Sequence, residues 1–317
     1  DALVAKAKEG VRVYFVYDEL GSSGLPRSYV EEIRAAGAEM TRFGTTQGSD
    51  NRFQVNFRNH RKIVVVDGKE AWVGGLNVGD EYLGLDEKVG PWRDTHVHIA
   101  GPGALGAQVA WLLDWNWAKR EVPELSWKPV AVEGGDKEVL VVSTGPADEL
   151  ETAKLFFMHA INAAKDRIWI ATPYFVPDPA VSAALELAAL RGADIRIITP
   201  KNNDNALVQL SSYWFIQDLD GLGIQFFQYA EGFMHQKVML IDDTLSFVGT
   251  HNFDSRSFVL NFEATAVIHS RAFAQEMEAM FEKDFARSPP LDPASFSKKP
   301  WWHRVAVRAC RLMAPVQ

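Results

Sequence analysis

The chain is poor in cysteine, has no excess of positive charge and lacks a long apolar run. Cys310 is the only cysteine among 317 residues, so no disulfide can form within the chain and a disulfide scaffold is excluded. A membrane-spanning helix needs about 18 or more consecutive apolar residues, and no stretch reaches that length. The formal net charge of −8 disfavours a general nucleic-acid-binding protein, whose phosphate contacts need basic surface.

The composition is otherwise that of a globular protein. Hydrophobic residues make up 47% of the chain and charged residues 23%, which excludes intrinsic disorder because such a chain can bury a large core. At roughly 150 residues per domain, the length predicts about two domains.

An internal repeat organises the sequence. The segment HRKIVVVD at 60–67 recurs as HQKVMLID at 235–242, and GGLN at 74–77 recurs as GTHN at 249–252. The asparagine follows the histidine by 17 residues in both copies (77 − 60 and 252 − 235). Because strand-like and helix-like segments alternate in each half, the sequence predicts a duplicated α/β unit.

The domain limits follow from this repeat. A stretch with Pro129, Gly134 and Gly135 separates the copies, so we expect a first domain at 1–130, a second at 131–292 and a tail at 293–317. The second copy has a strand-like segment at 166–176 before its helix, and the first copy has no counterpart. We therefore expect the natural protein to extend N-terminally by at least a strand and part of a helix.

Each copy of the repeat brings together side chains suited to a phosphate. Residues two apart share one face of a strand, so His60 and Lys62 point the same way, as do His235 and Lys237. On the same parity, Val64 and Val66 are expected to be buried. The return strand carries a glycine that permits close backbone approach, Gly74 or Gly249, and then Asn77 or Asn252. Two such sets around one cavity would supply two imidazoles, two ammonium groups and two carboxamides.

That set of groups suits cleavage of a phosphodiester without a metal or cofactor. One histidine would form a phosphohistidine, and the other would act as acid and then base. The lysines and asparagines would hold the non-bridging oxygens. Each imidazole also needs an acceptor on its far nitrogen, and the similar downstream spacings predict Asp94 for His60 and Glu263 for His235.

Two other groups of residues have different interpretations. Asp67 and Asp242 lie at the far ends of their strands, in turn-like sequences, and are expected to be structural. An alternative to the metal-free site is a zinc site formed by histidines of the two halves. Its candidate ligands are His60, His96, His98 and His235.

The paired motifs resemble those of the phospholipase D superfamily, with its doubled HxKxxxxD signature, over essentially the whole chain. The segments at 56–62, 90–97, 171–177 and 252–263 look like those of bacterial cardiolipin synthases. This resemblance implies two pseudo-two-fold-related domains, each a mixed β-sheet flanked by helices, and His60 as nucleophile with His235 as acid. It also implies transfer of a phosphatidyl group between two phosphatidylglycerols with release of glycerol, although phosphatidylethanolamine is also conceivable as the acceptor.

The expected partners are anionic phospholipid and a membrane surface, with no nucleic acid. The expected location is the bacterial inner membrane, peripheral or anchored by an absent N-terminal segment, with the catalytic part on the cytoplasmic side. Two alternatives remain. Water as acceptor would make the protein a phospholipase D or, with another donor, a nuclease; a non-catalytic module would bind anionic lipid only.

The C-terminal tail is basic and amphipathic. From Pro293 to Gln317 there is no acidic residue. At helical spacing, three arginines (Arg304, Arg308, Arg311) form one stripe, and Trp302, Val305, Ala309 and Leu312 form another. This pattern is typical of a membrane-surface helix, and equally of a helix docked on the protein body.

Overall fold

The computed structural model describes residues 2–44, 57–87, 90–312 and 314. Asn56, the first residue of one motif segment, lies outside them, as do Met313 and residues 315–317 of the tail.

Helices and strands alternate along the chain. The helices are α1 (Ala2–Lys8), α2 (Arg27–Ala35), α3 (Ala104–Lys119), α4 (Thr152–Ala163), α5 (Pro179–Leu190), α6 (Ala206–Asp218), α7 (Ser255–Val259), α8 (Arg271–Ala286) and α9 (Trp301–Arg311). The strands up to the middle of the chain are β1 (Tyr14–Asp18), β2 (Glu39–Phe43), β3 (Arg58–Asn59), β4 (Ile63–Val66), β5 (Glu70–Gly74), β6 (Trp92–Arg93), β7 (His96–Ala100) and β8 (Glu138–Thr144). The remaining strands are β9 (Arg167–Ala171), β10 (Phe175–Val176), β11 (Asp194–Pro200), β12 (Gln225–Tyr229), β13 (Phe233–Met234), β14 (Val238–Ile241), β15 (Leu245–Gly249), β16 (Phe253–Asp254) and β17 (Asn261–His269).

The second half of the chain forms a large mixed sheet. Its strand order is β12-β11-β9-β14-β15-β17, with β8 antiparallel to β17. Strands β9, β11 and β12 are parallel, and the hairpin β14–β15 runs antiparallel to β9 and β17. The apolar strand sequences account for this arrangement, because the central strands are buried on both faces.

The first half repeats part of this pattern in two smaller sheets. Strands β1 and β2 pair in parallel, as β11 and β12 do, and β4-β5-β7 form an antiparallel sheet. The hairpins have the same register, since Ile63 faces Val73 and Val238 faces Val248. Both pairs differ by 175 residues, the offset of the sequence motifs. The duplication predicted from the sequence is therefore also a duplication of backbone structure.

The two halves share one hydrophobic core. Side chains of the β4-β5-β7 sheet pack on the inner face of the large sheet together with α3 and α8. The first half contributes Val73 and Val97 to this core, and the second half contributes Leu240 and Phe281. A separate core lies on the outer face of the large sheet, beneath α4, α5 and α6. The sheets are thus held face to face by apolar contact, which fixes the position of one half against the other.

The prediction that Val64 and Val66 are buried is wrong. Their side chains are 55% and 47% exposed, although the corresponding Met239 and Ile241 are almost fully buried. Val64 and Val66 share one face of the strand, as predicted, but the surroundings of that face differ between the two halves. Helices α4 and α5 cover this face in the second half, and no helix among the described residues covers it in the first.

The strand pairing of the two halves differs at the position where the N-terminal extension is expected. In the second half β9 lies between β11 and β14, whereas β1 pairs only with β2 and β4 only with β5 among the residues described. The extension itself stays a prediction. None of the helices in the described ranges is long and apolar enough to cross a bilayer.

The segment between the halves has no regular structure. Helix α3 ends at Lys119, and β8 begins at Glu138 on the edge of the large sheet. The domain limits near residue 130 stay a prediction, since this whole segment connects the two. In the tail, α9 packs against α6.

Candidate active site

Two short parallel strand pairs join the halves at the site. Strand β3 pairs with the start of β17, and β13 pairs with β6. In each pair, the residue that directly follows the paired residues of one strand is a histidine, and the residue that directly follows those of the other strand has a carboxylate. The backbone N–H of His60 donates to the carbonyl of Phe262 at 2.9 Å, and that of His235 to Arg93 at 2.8 Å. The register consequently places His60 beside Glu263 and His235 beside Asp94.

The side chains complete these two pairs. Nδ1 of His60 lies 2.9 Å from both carboxylate oxygens of Glu263. Nδ1 of His235 lies 3.0 Å from Oδ2 of Asp94. Each carboxylate is buried, with Glu263 0% and Asp94 1% exposed. A carboxylate on Nδ1 fixes the tautomer that carries its proton there and leaves Nε2 for chemistry.

The predicted partners of the histidines are therefore exchanged. We expected Asp94 on His60 and Glu263 on His235, but each imidazole takes its carboxylate from the other half of the chain. Spacing along the sequence favoured pairing within a half. The parallel strand pairs override it because they run between the halves, as a two-fold arrangement of duplicated units allows.

The two motif lysines are buried next to the histidines. Lys62 donates from Nζ to the backbone carbonyl of His60 at 2.7 Å, and Lys237 to that of His235 at 2.6 Å. Burial and the nearby second lysine lower the pKa of Lys62 to about 7, against the opposing effect of Glu263. Burial lowers the pKa of Lys237 to about 8. An anion that enters this site would stabilise the charged form of both buried lysines.

Both imidazoles favour their neutral form. Burial lowers the pKa of His60, which Glu263 partly offsets. Burial and the charges of Lys237, Lys62 and His60 hold the pKa of His235 well below 6.5. The motif lysines of both halves therefore lower the pKa of each imidazole. His60 is the more accessible imidazole, with 25% of its side chain exposed against 9% for His235.

Glu263 is ionised in spite of its burial. Burial alone would raise its pKa, but His60, His251 and Lys62 outweigh that effect and lower the pKa to about 2. The hydroxyl of Thr250 donates to Oε2, and Asn261 donates to Oε1 at 3.1 Å. The acceptor for His60 is thus a fixed negative charge whose oxygens are also hydrogen-bonded to neutral donors.

Asp94 is held by different contacts. It accepts hydrogen bonds from the backbone of Thr95 at 2.8 Å and the indole of Trp92 at 3.2 Å. Burial raises its pKa, and Lys237 partly opposes that effect. Gly75 lies directly against it, since a Cβ there would be 2.1 Å from Oδ1. The glycine after Gly74 is therefore required by the position of the carboxylate.

The motif glycines and asparagines occupy different surroundings in the two halves. A Cβ at Gly74 would lie 2.3 Å from the carbonyl of Thr95, and one at Gly249 would lie 2.5 Å from that of Ala264. Asn77 is exposed and donates to the hydroxyl of Tyr82 at 2.9 Å. Asn252 is 4% exposed, and its Oδ1 has no hydrogen-bond partner among the described residues. Substrate binding by the asparagines stays a prediction.

The motif aspartates lie at hairpin turns away from the histidines. Asp67 and Asp242 both have positive φ, 54° and 49°, a conformation that aspartate tolerates in tight turns. The carboxylate of Asp242 accepts from the backbone N–H groups of residues 165–167 at 2.9–3.2 Å. It therefore connects the hairpin to the start of β9.

The histidines of β7 do not join the motif histidines in a metal site. Nδ1 of His96 accepts from the backbone of Leu76 at 3.3 Å. His98 lies on the outer face, where it stacks on Trp72 and pairs with Glu70. Within the described ranges no group of three or more His, Cys, Asp or Glu side chains is positioned to hold a metal ion.

Several residues around the site were missed by the sequence analysis. The rings of Trp92, Phe233 and Tyr82 surround His235, with centroids 4.9, 5.8 and 6.3 Å from the imidazole. Tyr174 donates to Asp204 at 2.8 Å, and that carboxylate acts electrostatically on Lys237. Trp92 and Phe233 could have been identified from the sequence, because each stands two residues before a site residue, Asp94 or His235.

Comparisons with known proteins agree with the duplicated motif. Residues 157–285 match the family described as "Cardiolipin synthase, PLD-like domain". The chain is 46% identical over 314 residues to a cardiolipin synthase A of Pseudomonas putida (strain W619), covering 99% of this chain and 65% of the relative. A cardiolipin synthase A of Pseudomonas aeruginosa (strain LESB58) is also 46% identical, with 64% of its length covered. The chain belongs to the phospholipase D superfamily. It spans about two thirds of the length of these curated relatives.

A solved structure shares this fold over the full chain. The crystal structure of a phosphatidylserine synthase from Haemophilus influenzae Rd KW20 matches with a TM-score of 0.66, covering 100% of this chain and 93% of the other. The sequence identity is 12%. The two-unit α/β architecture predicted from the sequence is confirmed as a phospholipase D-type fold.

Proposed function

We propose that the protein is a cardiolipin-synthase-type phosphatidyltransferase that joins two phosphatidylglycerol molecules and releases glycerol. The observation that carries this proposal is the pair of imidazole–carboxylate contacts, each beside a buried lysine. One imidazole would serve as nucleophile and the second as proton donor and acceptor. The similarity to cardiolipin synthases over 99% of the chain supports the choice of substrate.

The first half-reaction begins at His60, the more exposed imidazole. Its Nε2 attacks the phosphorus of phosphatidylglycerol while Nδ1–H donates to Glu263. The bond between phosphorus and the glycerol oxygen breaks, and His235 gives its Nε2 proton to that oxygen. Glycerol leaves, and the phosphatidyl group is bound to His60 as a phosphohistidine.

The second half-reaction reverses these steps with a new alcohol. A glycerol hydroxyl of a second phosphatidylglycerol loses its proton to His235, and its oxygen attacks the phosphohistidine. The P–N bond to His60 breaks, and cardiolipin leaves. Asp94 keeps its hydrogen bond to Nδ1 of His235 throughout, so that one imidazole can serve as acid and then as base.

The lysines provide the charge that this chemistry needs. A phosphodiester carries one negative charge, and its approach raises the pKa of each nearby ammonium group and of the imidazole that must hold a proton. Lys62 and Lys237, whose pKa values are about 7 and about 8 without substrate charge nearby, would then both be protonated. We assign them, with Asn77 and Asn252, to the non-bridging oxygens. No cofactor has a role in these steps.

The alternative with the same chemistry is hydrolysis, in which water replaces the second lipid. It would yield phosphatidic acid from phosphatidylglycerol. We favour transfer because the relatives that match 99% of the chain are cardiolipin synthases. The corresponding site of action would be the cytoplasmic side of the bacterial inner membrane, with anionic phospholipid as partner.

One assay separates these functions. The protein is incubated with phosphatidylglycerol labelled in its acyl chains, and the lipids are separated. Cardiolipin with an equal amount of glycerol supports transfer, and phosphatidic acid indicates a phospholipase. Bound lipid without turnover indicates a binding module. The His60→Asn variant should lose the product. His269→Asn is the matched control, since that exposed histidine also pairs with a carboxylate, Glu138, at 2.9 Å.

A further inference from the structure

Helix α9 is docked on the protein by one face only. Val307 and Cys310 are buried at 4% and 7% exposure against the body of the protein. The ring of His303 lies 6.1 Å from that of Tyr213 on α6, and the guanidinium of Arg311 lies 3.7 Å above the ring of Trp214. This face accounts for the docked-helix interpretation of the tail and fixes the orientation of the helix.

The opposite face of α9 exposes large apolar side chains to solvent. We call it the interfacial face and define it by four residues: Trp301, Trp302, Val305 and Leu312. They are 71%, 59%, 56% and 80% exposed. At 3.6 residues per turn they fall within an arc of about 100°. Such a group of exposed apolar side chains on one helix is typical of a surface that binds another protein or a membrane.

Positive charge borders this face. Arg304 and Arg308 are exposed and, at helical spacing, lie on one side of the apolar arc. The chain from Pro293 to Gln317 contains no acidic residue, although the whole protein has a net charge of −8. The exposed apolar side chains therefore lie in a stretch of net positive charge. Tryptophan, apolar and arginine side chains together match the layers of an anionic bilayer surface.

We propose that the interfacial face of α9 lies in the headgroup region of an anionic phospholipid bilayer and holds the enzyme at the surface that contains its substrate. The inference builds on the proposed lipid-directed function. The two tryptophans and Leu312 would enter the boundary between headgroups and acyl chains, and Arg304 and Arg308 would contact lipid phosphates. A second copy of the chain fits less well, because two such helices would bring their arginines together.

The test is cosedimentation of the 317-residue protein with vesicles, which requires no turnover. Vesicles of phosphatidylcholine alone are compared with vesicles that also contain phosphatidylglycerol. Trp301→Ser/Trp302→Ser should weaken binding to the anionic vesicles at least about tenfold. Arg304→Glu/Arg308→Glu should weaken binding to the anionic vesicles and leave the weak binding to phosphatidylcholine unchanged. Added salt should reduce binding of the wild type more than that of the arginine variant.

Matched substitutions elsewhere test whether the effect is specific to α9. Trp127 is 42% exposed in the segment between the halves, so Trp127→Ser removes an exposed tryptophan outside the helix. Lys69→Glu/Lys137→Glu reverses two exposed charges in the same way. Both controls should bind like the wild type, and all variants should keep the wild-type melting temperature because the docked face is untouched.

Activity gives an independent readout. On a short-chain phosphatidylglycerol below its critical micelle concentration, the α9 variants should turn over like the wild type, and on vesicles they should be slower by the same factor as their binding. If the protein binds vesicles through α9 but makes no cardiolipin, the proposed reaction is wrong and the surface assignment stands. Equal vesicle binding by the wild type and both α9 variants overturns the surface assignment. So does loss of self-association in the tryptophan variant with vesicle binding unchanged, which would identify a second copy as the partner.

Discussion

Replacement of Glu263 by glutamine should disable His60, although the two residues are 203 positions apart. His60, His251 and Lys62 lower the pKa of Glu263 from 4.5 to about 2 in spite of its burial, which corresponds to about 3 kcal/mol of net stabilisation of the charged form. The positively charged state of His60 gains from the same attraction. Loss of the charge should therefore slow the reaction about 10²-fold, and up to about 10⁴-fold if the wrong tautomer also forms.

A change of leaving group in the substrate distinguishes the roles of the two carboxylates, Asp94 and Glu263. In the proposed reaction, protonation by His235 is needed for glycerol to leave and not for p-nitrophenol, which leaves as an anion. With phosphatidyl-p-nitrophenol in single-turnover experiments, Asp94→Asn should recover most of the rate that it loses with phosphatidylglycerol. Glu263→Gln should stay slow with both substrates because it acts on the attacking imidazole. The matched control is Glu138→Gln, which removes a carboxylate from the exposed His269 and should leave both rates unchanged.

The opposite pattern would refute this reasoning in a specific way. If Glu263→Gln is the variant rescued by nitrophenol, His60 is the acid and His235 the nucleophile. If neither variant depends on the leaving group, the contacts between the halves do not orient the catalytic imidazoles. If melting curves show a loss of folded protein large enough to account for the whole loss of rate, the substitution acts through stability and not through the imidazole.

Four further predictions concern the same site. Asp67→Asn should keep its turnover per folded molecule and lose on the order of 1 kcal/mol of stability, seen in melting curves, while Asp94→Asn loses most of its turnover with phosphatidylglycerol. Gly75→Ala should behave like Asp94→Asn, because a Cβ would lie 2.1 Å from the carboxylate; steady-state kinetics measure this. Dimethyl phosphate should bind with proton uptake near pH 8, and its affinity should fall as the pH rises. The reason is that Lys62 and Lys237, with pKa values of about 7 and about 8, lose their charge. Calorimetry in two buffers of different ionisation enthalpy detects the proton uptake. Turnover should persist in excess chelator.

Each of these has a clear contrary result. Loss of turnover in Asp67→Asn at unchanged melting temperature would make that aspartate catalytic. For the glycine, Gly24→Ala is the control, because nothing lies within 4 Å of the added Cβ; equal losses in both variants would remove the steric argument. Binding of dimethyl phosphate that is independent of pH would exclude proton uptake by the lysines. Activity lost on chelation and restored by zinc would contradict the metal-free mechanism.

The repeat predicted much of the site because its spacing is structural. A constant offset of 175 residues relates the histidines, the lysines and the hairpin register, so the motif residues could be selected from the sequence. The partners of the histidines could not. The two residues before His60 and those before Asp94 are short strands that could pair within a half or between halves, and spacing does not distinguish these arrangements.

Burial was predicted less well than position. Val64 and Met239 occupy equivalent places in equivalent hairpins, yet one is 55% and the other 1% exposed. The difference depends on which helices cover the strand, and a strand pattern contains no information about its cover. The tail shows the same limit, because its amphipathic pattern predicted a helix and not which face would be docked.

The exchange of partners between the halves also has a consequence for the growing chain on the ribosome. Glu263 is synthesised 203 residues after His60, and His235 follows Asp94 by 141 residues. An N-terminal fragment released early would contain an imidazole and a lysine but not the carboxylate that orients that imidazole. We expect the nucleophile to gain its reactivity only when the last strand of the large sheet has folded, so that incomplete chains do not attack phospholipid.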